Sequence, residues 1–203
     1  MYGLPSTVAV DQTLPKNAFY QRLSLAAPVK DEFVHGIEEL RVVASIKEAT
    51  CGIPTSGSIE EISVLRIVLK TDELPRKALD AIASAVPRKM LMACCHEGRA
   101  CLAVVRDGLR ASERWIAEEQ MNIELRGASL AEVWDGLCAQ VLFDDVEVED
   151  VDARMAQEER IAELEAEVIK LKRKYAKEVQ PAKRNTAFRA YKQVLAEGEE
   201  NVA

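Results

Sequence analysis

Cysteine and histidine stand close together at Cys94, Cys95, His96 and Cys101. These side chains ligate zinc in many proteins, so the cluster is the first candidate for a metal or redox site. Adjacent residues of a strand point to opposite faces, however, so Cys94 and Cys95 cannot easily hold one ion, and no second ligand pair stands elsewhere. We therefore interpret the thiols as buried core residues, and we expect no metal site and no cofactor.

Enzyme motifs are missing from the chain: it has no P-loop, dinucleotide-binding glycine pattern, HExxH or GxSxG. A nucleophilic pair using His96 would lie in a turn without an acid to orient it. Nucleases often place an acid two residues before a lysine at a strand end, but Val68 occupies that position before Lys70. Glu60 and Glu61 are interpreted as solvated. We assign no catalytic residue and favour a protein without catalysis.

Basic residues accumulate near the C-terminus, where aromatic residues alternate with them. Such a pattern can follow a phosphate backbone and stack on bases. The alternative is a solvated helix whose aromatic side chains face another helix. The candidate nucleic-acid contacts are Lys170, Lys172, Arg173, Lys174, Lys177, Lys183, Arg184, Arg189 and Lys192, with Glu178 as the one acid among them.

A heptad pattern precedes and overlaps this basic segment. Gaps of three and four separate five apolar residues, which together we call the seam: Ile161, Leu164, Val168, Leu171 and Tyr175. A parallel partner would place Arg160 opposite Glu165 and Glu167 opposite Lys172, and both pairs attract. An antiparallel copy would instead set the acidic first half of the helix against its basic second half. The seam therefore predicts contact with another helix without fixing its direction.

Proline 181 interrupts the seam and opens a third alternative, a helical hairpin within one chain. The acids of 144–152 and the bases of 170–192 lie too far apart to meet within one straight helix. We therefore predict that the segment after Pro181 returns along the long helix, with Phe188, Tyr191 and Leu195 packed toward the seam. Such a hairpin would use the seam internally and leave the basic face free.

Composition limits the remaining possibilities. The chain has 203 residues, 48% of them hydrophobic, and a net charge of −7. This content supports one good-sized core, and the acidic balance argues against a general nucleic-acid coat. No segment is typical of a signal peptide or a membrane span, and five cysteines in a chain of this kind suggest reduced thiols. We expect a cytoplasmic protein.

The elements that position these residues follow from periodicity. We predict a turn-rich start, helices at 16–25, 72–86 and from Ser129 onward, and a short helix ending near Gly36. Strands are predicted at 37–46, 59–69 and 121–126, together with a hairpin over 89–107 that turns at Glu97 and Gly98.

The resulting fold class is α+β: a mixed, largely antiparallel sheet of about five strands with flanking helices and a C-terminal coiled-coil-like helical arm. The acidic run after Phe143 is the expected boundary, because like charges at this density do not pack. The predicted domains are a globular domain over 1–143, an acidic linker over 144–152 and a helical arm, coiled-coil or hairpin, over 153–203.

The order of these pieces resembles a bacterial family, domain of unknown function 4391. The similar stretches are GLP near the start, LPKNAFYQRL, EEISVLRIVLK, LRGASLAEVWDGL and the heptad helix followed by KRNTAFRAYKQ. Two places depart from the family pattern: the strand around Arg41 lacks an expected aromatic residue, and PRKM after the 72–86 helix is more basic. Members are often encoded beside helicases and DNA methyltransferases of restriction or phage-defence systems, and the resemblance supplies no catalytic residues.

The leading hypothesis is a non-catalytic accessory or adaptor protein of a bacterial restriction or phage-defence-type system, acting through protein contacts of its C-terminal helices. Its expected partners are a second copy of the chain or a helicase- or methyltransferase-type protein, with no membrane involved. The first alternative is nucleic-acid binding by the basic segment. The second alternative is a divergent nuclease or hydrolase.

Overall fold

The structure is a computed structural model that describes residues 1–16, 25–147 and 150–202, with side chains to residue 196. The chain divides into two compact units, Met1–Val148 and Glu149–Ala203. Nearly all of the helix predicted at 16–25 lies outside the described residues.

Seven strands of the first unit form one mixed sheet in the order β1-β2-β3-β4-β5-β6, with β7 pairing β5. Only β3 and β4 are parallel, and the other pairs are antiparallel. The predicted mixed, largely antiparallel sheet is therefore confirmed. The strands are β1 Ala9–Thr13, β2 Ile37–Ile46, β3 Ile62–Leu69, β4 Lys89–His96, β5 Arg99–Val105, β6 Leu109–Ala111 and β7 Ile116–Ala117.

The central strands β3 and β4 are buried on both faces, as their continuous apolar sequences predict. Successive side chains point to opposite sides, so Leu65, Ile67 and Leu69 join the core cluster on one face. Val64 and Leu91 are equally buried but do not belong to that cluster, because they line the opposite face. The sheet therefore has a core on each side.

Helices cover both faces of the sheet. The core cluster that contains Leu65 also contains side chains of α1 (Ala27–Gly36) and α3 (Arg76–Ser84), while α4 (Leu130–Phe143) packs against β5. A four-residue helix, α2 (Glu48–Cys51), follows β2. Ser129 caps α4 by accepting a hydrogen bond from the amide of Glu132, as the capping box predicts.

The hairpin of β4 and β5 turns at Glu97 and Gly98, both with positive φ, as expected for a two-residue type I′ turn. This turn, at the predicted position, fixes the register and places Cys94 directly opposite Cys101. Cys95 points to the other face of the sheet, where it approaches Tyr2.

Three sequence expectations need correction. The segment 121–126 forms no strand: Met121 and Ile123 are buried, but their backbone lies outside the sheet ladder. The turn-rich start contains β1, whose five residues are all exposed and therefore show no alternation. The helix predicted at 72–86 is shorter, because Pro75 occupies its N-cap and α3 begins at Arg76.

The second unit consists of two helices. Helix α5 (Val151–Lys177) is capped by Asp150, whose carboxylate accepts a hydrogen bond from the amide of Ala153 at 2.9 Å. Helix α6 (Pro181–Val202) follows after a connection of three residues, 178–180, and packs against α5. A connection this short between contacting helices makes an antiparallel helical hairpin, so the predicted return of the chain after Pro181 is present.

Gly127, which precedes α4, tests the local geometry of the first unit. It has φ +142°, and a Cβ atom there would lie 2.7 Å from the amide nitrogen of Val133. We expect Gly127→Ala to lower the free energy of unfolding by about 2–3 kcal/mol, through strain and steric overlap. Urea denaturation followed by tryptophan fluorescence measures this change.

Gly57→Ala is the matched control, because Gly57 also has positive φ but nothing lies within 4 Å of its Cβ position. It should be destabilised by about 1 kcal/mol, from backbone strain alone. Equal destabilisation of the two variants would contradict the steric argument.

Candidate functional site

A polar cluster lies on the face of the sheet opposite the α1 and α3 side. Arg66 of β3 donates to both carboxylate oxygens of Glu118, at 2.6 Å and 2.9 Å. The phenol of Tyr2 donates to the same carboxylate at 2.8 Å and lies 3.6 Å from the sulfur of Cys95. Four residues far apart in the sequence are thus joined in one hydrogen-bonded network.

The electrostatics of this cluster hold each group in one protonation state. Hydrogen bonds from Arg66 lower the pKa of Glu118 to about 2, so the carboxylate is ionised at neutral pH. Burial raises the pKa of Tyr2, and it raises the pKa of Cys95 to about 11. A protonated phenol and a protonated thiol are poor nucleophiles, so the geometry favours a structural lock on the N-terminal segment over covalent chemistry.

The remaining buried thiols are equally unsuited to catalysis. A hydrogen bond between the paired thiols raises the pKa of Cys94 and lowers that of Cys101, but both side chains are almost completely buried. Burial raises the pKa of Cys138 to about 11. Within the described part of the chain, no group of three or more His, Cys, Asp or Glu could hold a metal ion.

A polar pocket of about 490 Å³ lies where β3 and β4 begin, and two carboxylates are among its lining residues. Glu60, Glu61, Lys47 and Lys89 line it. The carboxylate of Glu61 already has two partners: it accepts a hydrogen bond from Ser45 at 2.7 Å and forms an ion pair with Arg88 at 2.8 Å. The sequence interpretation of Glu61 as solvated is therefore corrected: it is a paired, partly buried carboxylate.

The five seam residues differ in how deeply they are buried. Leu164 is buried at 3% exposure, whereas Ile161, Val168, Leu171 and Tyr175 are half-buried. In α6, Ala187 is buried at 6% exposure. The seam is therefore partly covered within its own chain by α6. A coiled coil between chains stays a prediction.

Aromatic residues close the hairpin near its turn. The rings of Tyr175 and Phe188 are 5.3 Å apart, and those of Phe188 and Tyr191 are 6.5 Å apart. The guanidinium of Arg184 lies 5.0 Å above the Tyr175 ring. Such contacts stabilise a pair by about 0.5–1.5 kcal/mol each beyond simple burial. These rings therefore serve the packing of α5 against α6.

The nine predicted basic contacts are all exposed. Those of α5 occupy its last eight residues and those of α6 lie within its first twelve, so the reversal at 178–180 brings both groups to one end of the hairpin. We call this end, residues 170–192, the basic tip. Among the described residues, none of its nine bases forms an ion pair within 4.0 Å.

The family defined by this sequence pattern is described as "Domain of unknown function (DUF4391)", and it matches residues 2–197. The chain belongs to that family, as the resemblance of its motifs indicated. No curated protein and no solved structure shows a significant match to the chain. In the portion of the chain that the structure describes, no helix combines the length and the apolar character needed to cross a bilayer.

Sequence reasoning missed the Tyr2–Arg66–Glu118 network. Arg66 and Glu118 are 52 positions apart and Tyr2 and Glu118 are 116 apart, so no local spacing links them. The one signal in the sequence was Arg66 itself, a charged residue inside the apolar run of an inner strand. Burying a charge there requires a partner, which the sequence alone does not name.

Glu118→Gln tests the ion pair through its pH dependence. The pKa of Glu118 is lowered from 4.5 to about 2 in the folded protein. The ionised carboxylate therefore stabilises the fold above pH 4.5, and this stabilisation is lost as the pH falls from 4.5 to about 2. We expect the variant to be less stable than the wild type by about 2–3 kcal/mol at neutral pH, with a smaller difference toward pH 2. Urea denaturation over a pH series measures it.

The neighbouring Glu119 provides the control, since it is exposed. Glu119→Gln should leave the unfolding free energy within about 0.5 kcal/mol of the wild type at every pH. A Glu118→Gln deficit that stays constant down to pH 2 would show that the missing stability does not come from the ionised carboxylate.

Proposed function

We propose that the protein is a non-catalytic accessory or adaptor subunit of a bacterial restriction or phage-defence-type system, acting in the cytoplasm. It works through protein contacts of the helical pair α5–α6. The genes that often neighbour members of the family encode helicases and DNA methyltransferases, and this suggests a partner of one of these types. A second copy of the chain is the other candidate.

The observation that carries the proposal is the incomplete covering of apolar side chains on this pair. Two helices cannot enclose a core, so most of the seam stays half-buried. Ile169 and Phe188 lie outside the seam and remain 52% and 39% exposed. These exposed apolar side chains would be covered if a further helix packed against the pair.

The distribution of charge along α5 would set the orientation of a partner helix. The part of α5 that precedes the basic tip carries five glutamates: Glu158, Glu159, Glu163, Glu165 and Glu167. A partner helix with the opposite distribution would be attracted and held in one orientation, and an antiparallel copy of this chain satisfies that condition.

Ile169→Gln tests this surface in the full-length protein. Burial of an isoleucine side chain is worth about 1.5–3 kcal/mol, so the variant should bind its partner at least roughly tenfold more weakly. Light scattering over a concentration series measures self-association. Affinity purification from the native host, with mass spectrometry, measures recovery of helicase- or methyltransferase-type proteins.

Val179→Gln is the matched control, because Val179 is 87% exposed in the connection between the helices. It likewise replaces a β-branched apolar side chain with glutamine, and it should behave as the wild type. The proposal fails if the wild-type chain is monomeric at high concentration and recovers no such partner, or if the two variants weaken binding equally.

A further inference from the structure

The hairpin converts a linear run of bases into a compact surface. In α5 the bases span about 11 Å of helix, and in α6 about 14 Å, at the usual rise per residue. Two neighbouring helices together are roughly 20 Å wide. Nine exposed cations and the single acid Glu178 are therefore distributed around a tip about 15 Å long and roughly 20 Å wide.

We propose that this basic tip binds the phosphodiester backbone of a nucleic acid. Duplex DNA carries about one negative charge per 1.7 Å of its axis, so a 15 Å length of duplex carries roughly nine phosphates. The cations on the side of the tip that faces the duplex would neutralise several of them. This inference does not depend on the proposed adaptor role, because the binding experiment below uses no protein partner, although both roles use the cations of the tip.

Side chains, and not helix dipoles, supply the positive potential of the tip. The N-terminus of α6 adjoins the C-terminus of α5 there, so the opposite partial charges of the two helix ends largely offset each other. The first turn of α6 contains no acid, while Lys183 and Arg184 stand near its N-terminus. Bases at a helix N-terminus add no stability to that helix, so their presence agrees with a role in binding an anion.

The contacts of the aromatic residues decide what kind of binding this is. Tyr175 and Phe188 pack against each other, and Arg184 stacks on Tyr175. These rings already hold the hairpin closed, so they do not offer a row of free faces for stacking bases. The tip therefore recognises phosphates, with little discrimination between base sequences.

The test is fluorescence anisotropy with the full-length protein and labelled 20-nucleotide probes of two unrelated sequences, at several salt concentrations. Duplex DNA, duplex RNA and single-stranded DNA are tested separately. The kind of nucleic acid that binds most tightly is the one that the tip prefers. We expect binding at low salt that weakens steeply as salt is added, and affinities for the two sequences within about threefold of each other.

The variant Arg173→Gln, Lys177→Gln, Lys183→Gln removes three tip cations without touching the Arg184–Tyr175 contact. Its affinity at 0.1 M salt should fall at least about tenfold. The slope of log K against log salt should become shallower by about 0.9 for each duplex phosphate that the variant no longer neutralises. Circular dichroism checks that helix content is unchanged.

The control variant Lys30→Gln, Lys47→Gln, Lys77→Gln removes the same charge from exposed positions of the first unit. It should retain wild-type affinity. The inference is overturned if the wild type binds no probe at low salt, if both variants weaken binding equally, or if poly-glutamate of equal charge competes as well as the nucleic acid.

Discussion

Reversal of the chain between Lys177 and Pro181 governs the second unit. Proline has no amide hydrogen and cannot continue the hydrogen-bond ladder of α5, but it suits the first turn of a new helix. With three residues between the helices, α6 has to return beside α5. One backbone constraint thereby buries Leu164, closes the aromatic contacts and gathers bases that are distant along the chain.

The first unit is organised around its mixed sheet. Its central strands are enclosed on both faces, Cys94 and Cys101 lie in the apolar core cluster, and Cys95 contacts Tyr2 on the opposite face. The charged group placed in an inner strand, Arg66, is neutralised by Glu118. Low dielectric around such a pair makes separation costly, so the network fixes the position of the N-terminal segment.

Periodicity in the sequence revealed the elements that bury one or both faces. Strands β2 to β5 and helix α4 were predictable because burial imposes a pattern on their side chains. β1 lacked that signal because all its residues are exposed, and β6 and β7 are too short to show one. Segment 121–126 was wrongly predicted as a strand because Met121 and Ile123 are buried as strand residues would be. Its backbone is bonded outside the sheet, since the amide of Ile123 donates to the carbonyl of Tyr2 and that of Glu124 to the side chain of Gln140. The candidate surface was predictable as a basic run, whereas its compact shape depends on a tertiary reversal.

The contact between Tyr2 and Glu118 has a consequence for synthesis of the chain. Tyr2 leaves the ribosome long before its partner, which follows 116 positions later. At bacterial translation speeds of about 5–20 residues per second, that interval is roughly 6–23 s. Throughout it, the segment around Tyr2 has no complete site to occupy, since the loop that carries Glu118 has not yet been made. The segment around Tyr2 can therefore reach its final position only after β1 to β7 have all been synthesised. Arg66 also has no carboxylate partner until then, because Glu118 pairs with it as well.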